Sequence, residues 1–393
     1  MAERLAEKSM TEEERLRLLL AAAPSLIAWF AENARVFPWR KGRTPYMVLV
    51  SETMLQQTRI EAVLKYYDRF MRAFPTLGDL ARAPEEKVLK LWEGLGYYSR
   101  ARTLKKTAEI CLREHGGELP ERFDELRKLP GIGDYSAGAI ASLCFDEAVP
   151  AVDGNVLRVL ARLFGDARDV RLPQVKKEAE RTIAALFRNP SGERPKSPAA
   201  PAPSAKESSI SPARFNEAVM ELGETLCAPK GKPQCGLCPL KDVCAAHAAG
   251  TEEQLPFRSA GRERVKEEKT VWVLTCGGKT ALEKRTEPGL LHGMYGFPMT
   301  DGKTESTEEA EEKLLARGIV PLRVEALGAA RHVFTHKEWL MQGYLAETAA
   351  PLPGLNYVTA EELEKTYALP AAFRAYKEQI REIAAQAPCA SRQ

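Results

Sequence analysis

Four thiols fall within the eighteen residues of CAPKGKPQCGLCPLKDVC: Cys227, Cys235, Cys238 and Cys244, separated by seven, two and five residues. Thiolates are soft ligands, and four from one short segment can enclose a zinc ion or an iron-sulfur cluster. Spacing alone leaves both open, because paired zinc sites usually carry two Cys-x2-Cys hooks and only Cys235 and Cys238 form one here. Cys111, Cys144, Cys276 and Cys389 stand singly, and in a reducing compartment eight cysteines do not argue for a disulfide framework.

Two acids occupy positions where a carboxylate can do acid-base work. In TPYMVLVSETMLQQTRIEA, Thr44 and Pro45 start a helix on which Val48, Glu52 and Leu55 share a stripe. Glu52 then sits on or beside an apolar face, where desolvation raises its pKa towards that of a general acid; the plain alternative is a solvated edge residue. In AVDGNVLRVLARLFG, Asp153 precedes a helix whose Val156, Leu157, Leu160, Leu163 and Phe164 mark one face. Asp153 reads as an N-cap, and the helix end lowers its pKa and keeps it ionised. Such a carboxylate beside a sugar stabilises positive charge at the anomeric carbon.

Between these lies LPGIGDYSAGAI, after the helix ERFDELRK and before a helix rich in Ala and Gly. Gly131 and Gly133 permit the positive φ angles of a tight hairpin, so the following helix offers bare N–H groups to an anion. Helices joined this way resemble the helix-hairpin-helix that grips a DNA phosphate without reading sequence; an ordinary capped turn is the alternative.

The elements that must position these groups follow from patterning. With 393 residues, 44% of them hydrophobic, the chain can bury two cores. The apolar run LRLLLAAAPSLIAWF is broken by Arg17 and Pro24 and preceded by TEEER, so it reads as a core helix, with no membrane span or signal peptide. Net charge is only +3, too little to argue for nucleic acid by itself. From Met10 to Phe187 the period is helical; residues 190–213 are Pro- and Ser-rich and read as a flexible insertion. The helical pattern resumes at FNEAVMELGETLC, and a charged link separates the cysteine loop from a segment of different period. There TVWVLTC-GG-KTALEKR and HVFTHKEWLMQGYLAE read as hairpins, and TEEAEEKLLARG as a helix, giving an α+β second domain.

The Glu52 helix, the hairpin, Asp153 and the cysteine cluster, in this order, resemble the helix-hairpin-helix DNA glycosylases of the endonuclease III superfamily, over residues 25 to 385. Tyr135 stands where endonuclease III carries its lysine nucleophile, and the Glu of SETMLQQT is absent from that enzyme, so the chain is similar to the MutY-type adenine DNA glycosylases. The resemblance implies a multidomain protein: an all-α glycosylase domain over 10–250, a linker over 251–268 and an α+β Nudix-like domain over 269–385. It implies a [4Fe-4S] cluster on Cys227, Cys235, Cys238 and Cys244, although the family's first spacing is usually six residues and here is seven. The loop's Lys230, Lys232 and Lys241 are then expected to face the DNA backbone.

Carried onto matching positions, Glu52 protonates N7 of adenine and later assists the water, and Asp153 stabilises the oxocarbenium-like sugar. Tyr135 and Asn155 position them. Without a lysine at 135 no Schiff base forms, so the enzyme is expected to be monofunctional and to leave an abasic site. Gln57 and Tyr97 resemble the wedge that fills the gap left by the flipped base. Arg40, Thr58, Gly131 and Gly133 fall among the DNA contacts, and Glu217 resembles a residue touching the flipped adenine. In the second domain, Phe334, Thr335 and His336 resemble the loop that reads 8-oxoguanine, with Thr335 supplying the hydroxyl. The acidic helix lacks the Arg-Glu-x-x-Glu-Glu arrangement of active Nudix hydrolases, so recognition without hydrolysis is expected. The expected partner is duplex DNA holding A:8-oxoG or A:G mispairs, bound by a cytoplasmic monomer. Alternatives from the residues are another mismatch glycosylase, a non-enzymatic iron-sulfur DNA-binding protein, and a nucleotide phosphohydrolase in the second domain.

Overall fold

The computed structural model describes residues 10–188, 210–259 and 263–386. Described residues within Met1–Ile60, Phe74–Ala81 and Lys106–Ala260 form one compact unit, and those within Glu61–Ala73, Arg82–Lys105 and Gly261–Gln393 form another. Most of the expected insertion lies outside the described residues; its last part does not, because Ser211 caps the Pro212–Glu224 helix by accepting from Arg214 N, so that helix starts earlier than its sequence pattern indicated.

The first unit contains no strand among its described residues. Its Glu12–Asn33 helix carries the apolar run, opened by a capping box between Thr11 and Glu14. Leu19 and Leu26 from this helix pack with Val156, Leu160, Ile183 and Phe215 in one core. The hairpin forms as expected at Gly131, whose φ is +76°. Gly133 differs: at φ −86° it is extended and N-caps the Asp134–Phe145 helix without a side chain, which leaves that helix's first N–H groups uncapped. The helix expected over ERFDELRK shrinks to Phe123–Leu126, because the chain turns at Lys128 and Leu129 before Pro130. Thr107 Oγ1 donates to Pro130 O at 2.6 Å and ties the hairpin down.

Gly138, inside the Asp134–Phe145 helix, lets the segment before Asp153 approach. A Cβ there would lie 2.1 Å from the Pro150 carbonyl oxygen. Both atoms sit on rigid backbone, so Gly138→Ala is expected to cost about 1–3 kcal/mol of stability by overpacking, although alanine favours helix; urea unfolding measures it, and a stabilised variant would contradict this packing.

The second unit is built on a mixed sheet of seven strands, β1 (Val265–Cys276), β2 (Lys279–Lys284), β3 (Tyr295–Gly296), β4 (Met299–Asp301), β5 (Pro321–Val333), β6 (Lys337–Thr348) and β7 (Asn356–Val358), in the order β3-β2-β1-β6-β5, with β4 on β1 and β7 on β2. Both hairpins read from the sequence are present. β1 and β2 turn at Gly277 and Gly278, both at positive φ. β5 and β6 pair His332 with Trp339. β1 begins at Val265, inside the segment read as linker, and runs parallel to β6 from Val265–Lys337 to Thr275–Glu347. Period-two alternation buries Val271, Val273, Trp339 and Met341 with Phe373 and Tyr376. It buries Trp272, Leu274 and Tyr344 with Ala310 and Leu314 of the Thr307–Leu315 helix. No helix among the described residues is long and apolar enough to cross a membrane.

Candidate active site and cysteine loop

Glu52 lies on the Pro45–Leu55 helix, which starts where Thr44 Oγ1 accepts from Met47 N. Its neighbours Val48 to Met54 are all buried, and Glu52 itself is 8% exposed. Burial pushes its carboxyl from the usual 4.5 up to about 7, against the opposing hydrogen bond from Tyr135; the nearby Asp153 and Glu217 push the same way as burial. The Tyr135 hydroxyl is itself held well above its ordinary pKa, first by burial and then by Glu52 and Asp153. It therefore stays neutral and acts as a donor, facing Met220 Sδ at 3.8 Å as well as the Glu52 carboxyl.

Asp153 is the N-cap expected, with Oδ1 accepting from Asn155 N (2.9 Å) and Val156 N (2.8 Å). Those bonds lower its pKa, but burial outweighs them and the net direction is upward. The expectation that the helix end dominates is thus corrected. Asn155 Nδ2 donates to Asp153 Oδ2 at 2.8 Å and to Glu224 Oε1 at 2.7 Å, so Asn155 orients the carboxylate.

Beside the two acids, the Pro212–Glu224 helix presents Glu217 and Glu221. Arg40 bonds both, at 3.2 and 2.9 Å, Arg43 bonds Glu217, and Arg35 bonds Glu221. Arg40, expected among the DNA contacts, is thereby held by two carboxylates. Gln57 and Thr58 follow the Glu52 helix; Gln57 is exposed at φ +56°, a conformation rare for a side chain of this kind.

The four cluster cysteines line one cavity with Arg162, His247 and Glu252. Burial pushes Cys238 up to about 12 and raises Cys235 and Cys244, each further raised by neighbouring cysteines. Polar hydrogens point the other way: Arg162 Nη1 donates to Cys227 Sγ at 3.2 Å, Leu240 N–H to Cys238, and the Ala246 and His247 N–H groups to Cys244. Half-buried thiols ringed by N–H donors suit a cationic metal centre that displaces their protons. Within the seven-residue first spacing the chain turns at Gly231, φ +74°, and Gln234 N bonds back to Leu226 O. Lys230, Lys232 and Lys241 are exposed.

In the second unit Tyr97 follows the Gly94 and Gly96 turn, itself at φ +48° and 45% exposed. Its hydroxyl lies 2.8 Å from Thr335 Oγ1. Thr335 and His336 are exposed at the β5–β6 turn, whereas Phe334 is half-buried against His332 and Trp339, at ring distances of 4.6 and 4.7 Å. Phe334 therefore supports the loop from beneath.

Comparison with known proteins agrees with this layout. Residues 50–188 match the family described as HhH-GPD superfamily base excision DNA repair protein, and residues 270–379 match a NUDIX domain. The chain is 33% identical to an adenine DNA glycosylase of Mus musculus over 86% of its own length and 74% of the relative's. It is 37% identical to one from Mycobacterium tuberculosis over 58% of its length and 67% of the relative's. The chain belongs to the adenine DNA glycosylases. It is also similar to the structure of a thermostable thymine-DNA glycosylase, with a TM-score of 0.48 and 25% identity over 60% of this chain and 98% of that one. As an adenine DNA glycosylase it is a base-excision repair enzyme that removes adenine.

Several groups in this glycosylase were not singled out from sequence. Arg158 and Arg162, only 3% and 5% exposed, lie within the Gly154–Phe164 helix that Asp153 caps: Arg158 bonds Asn155 Oδ1 (2.9 Å) and Cys227 O (2.8 Å), and Arg162 bonds Cys227 and Leu255 O. Their signal was two arginines four apart inside an otherwise apolar helix, a spacing that puts both on one face. Glu221, Glu224, Arg35 and Arg43 carried no such signal.

Proposed function

We propose that the enzyme excises adenine opposite 8-oxoguanine or guanine in duplex DNA by hydrolysis, without a covalent lysine intermediate, and leaves an abasic site. The observation that carries this is Glu52: a buried carboxyl with a pKa of about 7, hydrogen-bonded by Tyr135 and close enough to Asp153 to feel its charge. Near neutral pH a large share of Glu52 is protonated and can give its proton to adenine N7, turning the base into a neutral leaving group. Asp153 offers negative charge to the sugar as positive charge develops there, held in place by Asn155. Glu52, now a carboxylate, takes a proton from the attacking water, and the Tyr135 hydroxyl stabilises it in that form.

The four-thiol loop is assigned a [4Fe-4S] cluster, which supplies a rigid fold for a lysine-bearing segment and no bond-breaking chemistry. Gln57 and Tyr97 are assigned to the gap in the duplex, the Gly131–Gly133 hairpin to a phosphate, Glu217 to the flipped base, and Thr335 with His336 to 8-oxoguanine. The domains are assigned to 10–250 and 269–385, joined by 251–268. The Thr307–Leu315 helix supports recognition without hydrolysis, since its Glu309 is engaged by Lys313 at 2.8 Å and by Glu305 N at 2.7 Å.

The test incubates enzyme with duplexes holding A:8-oxoG, A:G, T:G or an oxidised pyrimidine, with and without alkali. Cleavage of the adenine strand only after alkali is the expected result. Cleavage without alkali, or at T:G, overturns the reading, and phosphate release from nucleotides overturns the silent Nudix-like domain.

A further inference from the structure

The cysteine cavity holds more ligand-type groups than four iron positions require. Cys235 Sγ, a ring nitrogen of His247 and a carboxylate oxygen of Glu252 all lie within 4.8 Å of one another. The fold brings them there on purpose-built backbone: Gly250, at φ +65°, ends the short Ala245–Ala249 helix, and Thr251 N bonds back to Ala246 O at 2.9 Å, which returns Glu252 to the cavity wall. His247 Nδ1 sits 3.2 Å from Glu252 Oε1 and fixes the carboxylate. The other oxygen, Oε2, is buried and has no hydrogen-bond partner among the described residues. The Cys235 side chain also leans on this carboxylate, and a buried carboxylate oxygen without a firm partner is costly unless it serves a cation.

We infer that Glu252, steadied by His247, is a reserve ligand for the iron that Cys235 holds. The inference rests on the proposal that this loop carries an iron-sulfur cluster. The exchange is balanced: the carboxylate oxygen gives its lone pair to iron as the Cys235 thiolate leaves and takes up a proton from water, so one monoanionic donor replaces another with no electron transferred. The Cys235, His247 and Glu252 group includes neither Cys238 nor Cys244 among the described residues, and Cys238 therefore serves as the control.

The experiment measures iron and sulfide per chain, with electron paramagnetic resonance, on the purified full chain. Cys235→Ala is expected to keep most of its iron, whereas Cys238→Ala and the double variant Cys235→Ala with Glu252→Gln lose it. A second arm keeps all four thiols: Glu252→Gln alone is expected to release iron to a ferrous chelator about tenfold faster than the unaltered chain. If Cys235→Ala is as iron-poor as Cys238→Ala, or if Glu252→Gln releases iron at the unaltered rate, the reserve role is refuted while the cluster stands. If the unaltered chain holds zinc and no sulfide, the cluster reading itself falls, and the inference with it.

Discussion

Glu52→Gln is expected to slow single-turnover adenine excision by about 10²–10⁴-fold while duplex binding persists, the span that a positioned general acid supplies. Unaltered enzyme should lose excision rate as pH rises through about 7, because the protonated carboxyl is the active form. The same substitution should stabilise the fold at high pH. The folded protein keeps a proton that the unfolded chain releases near 4.5, so stability is full below 4.5 and declines until pH passes the folded value of about 7. Gln cannot ionise and escapes that loss, which amounts to about 3 kcal/mol at pH 8. Urea melts at pH 5 and pH 8 separate the variants: the stability gain should appear only at the higher pH. A variant that excises normally, or gains nothing at pH 8, removes Glu52 from the acid's role.

Asp153→Asn isolates charge from structure, because Asn caps a helix about as well as Asp. Its folding stability should stay close to that of the unaltered chain, whereas Asp153→Ala loses the cap as well, about 1 kcal/mol. Excision by the Asn variant should fall by about 10²–10³-fold, the scale of removing one preorganised electrostatic partner. Asp153 also pushes Glu52 upward, so its neutral replacement should move the high-pH limb of the rate profile to lower pH. A limb that stays put while the rate falls would show that the two acids do not share a field. Near-normal single-turnover rates would leave Asp153 as a cap and nothing more.

Local signals carried much of this site. Thr44 and Pro45 marked the start of the Glu52 helix, Gly131 the hairpin and Asp153 the cap, because each is decided by a few neighbouring residues. The hairpins around Gly277–Gly278 and Thr335 were legible from their two-residue period for the same reason. Balances between opposed effects were less legible. Asp153 shows this: the helix end and burial act in opposite directions, and only the packing around it decides for burial. Pairings across long stretches of chain were not legible at all. Arg40 could not be assigned to Glu217 and Glu221, Tyr97 to Thr335, or β1 to β6 in parallel, since no local pattern encodes a partner 70 to 240 residues away.

The composition of the second compact unit sets an order of events during synthesis. Its helical pieces, Glu61–Ala73 and Arg82–Lys105, gather with residues from Gly261 onward. Lys90 Nζ reaches Tyr367 O at 3.0 Å, Glu93 accepts from Leu369 N at 3.0 Å, and Tyr98, 5% exposed, lies under Leu369 O. None of these partners exists until most of the chain has left the ribosome. At about 5–20 residues per second that wait is on the order of ten seconds or more. During it Lys90, Glu93 and Tyr98 lack these partners, and the face they share stays open to solvent. A chain stopped before β1 would keep that face uncovered for good.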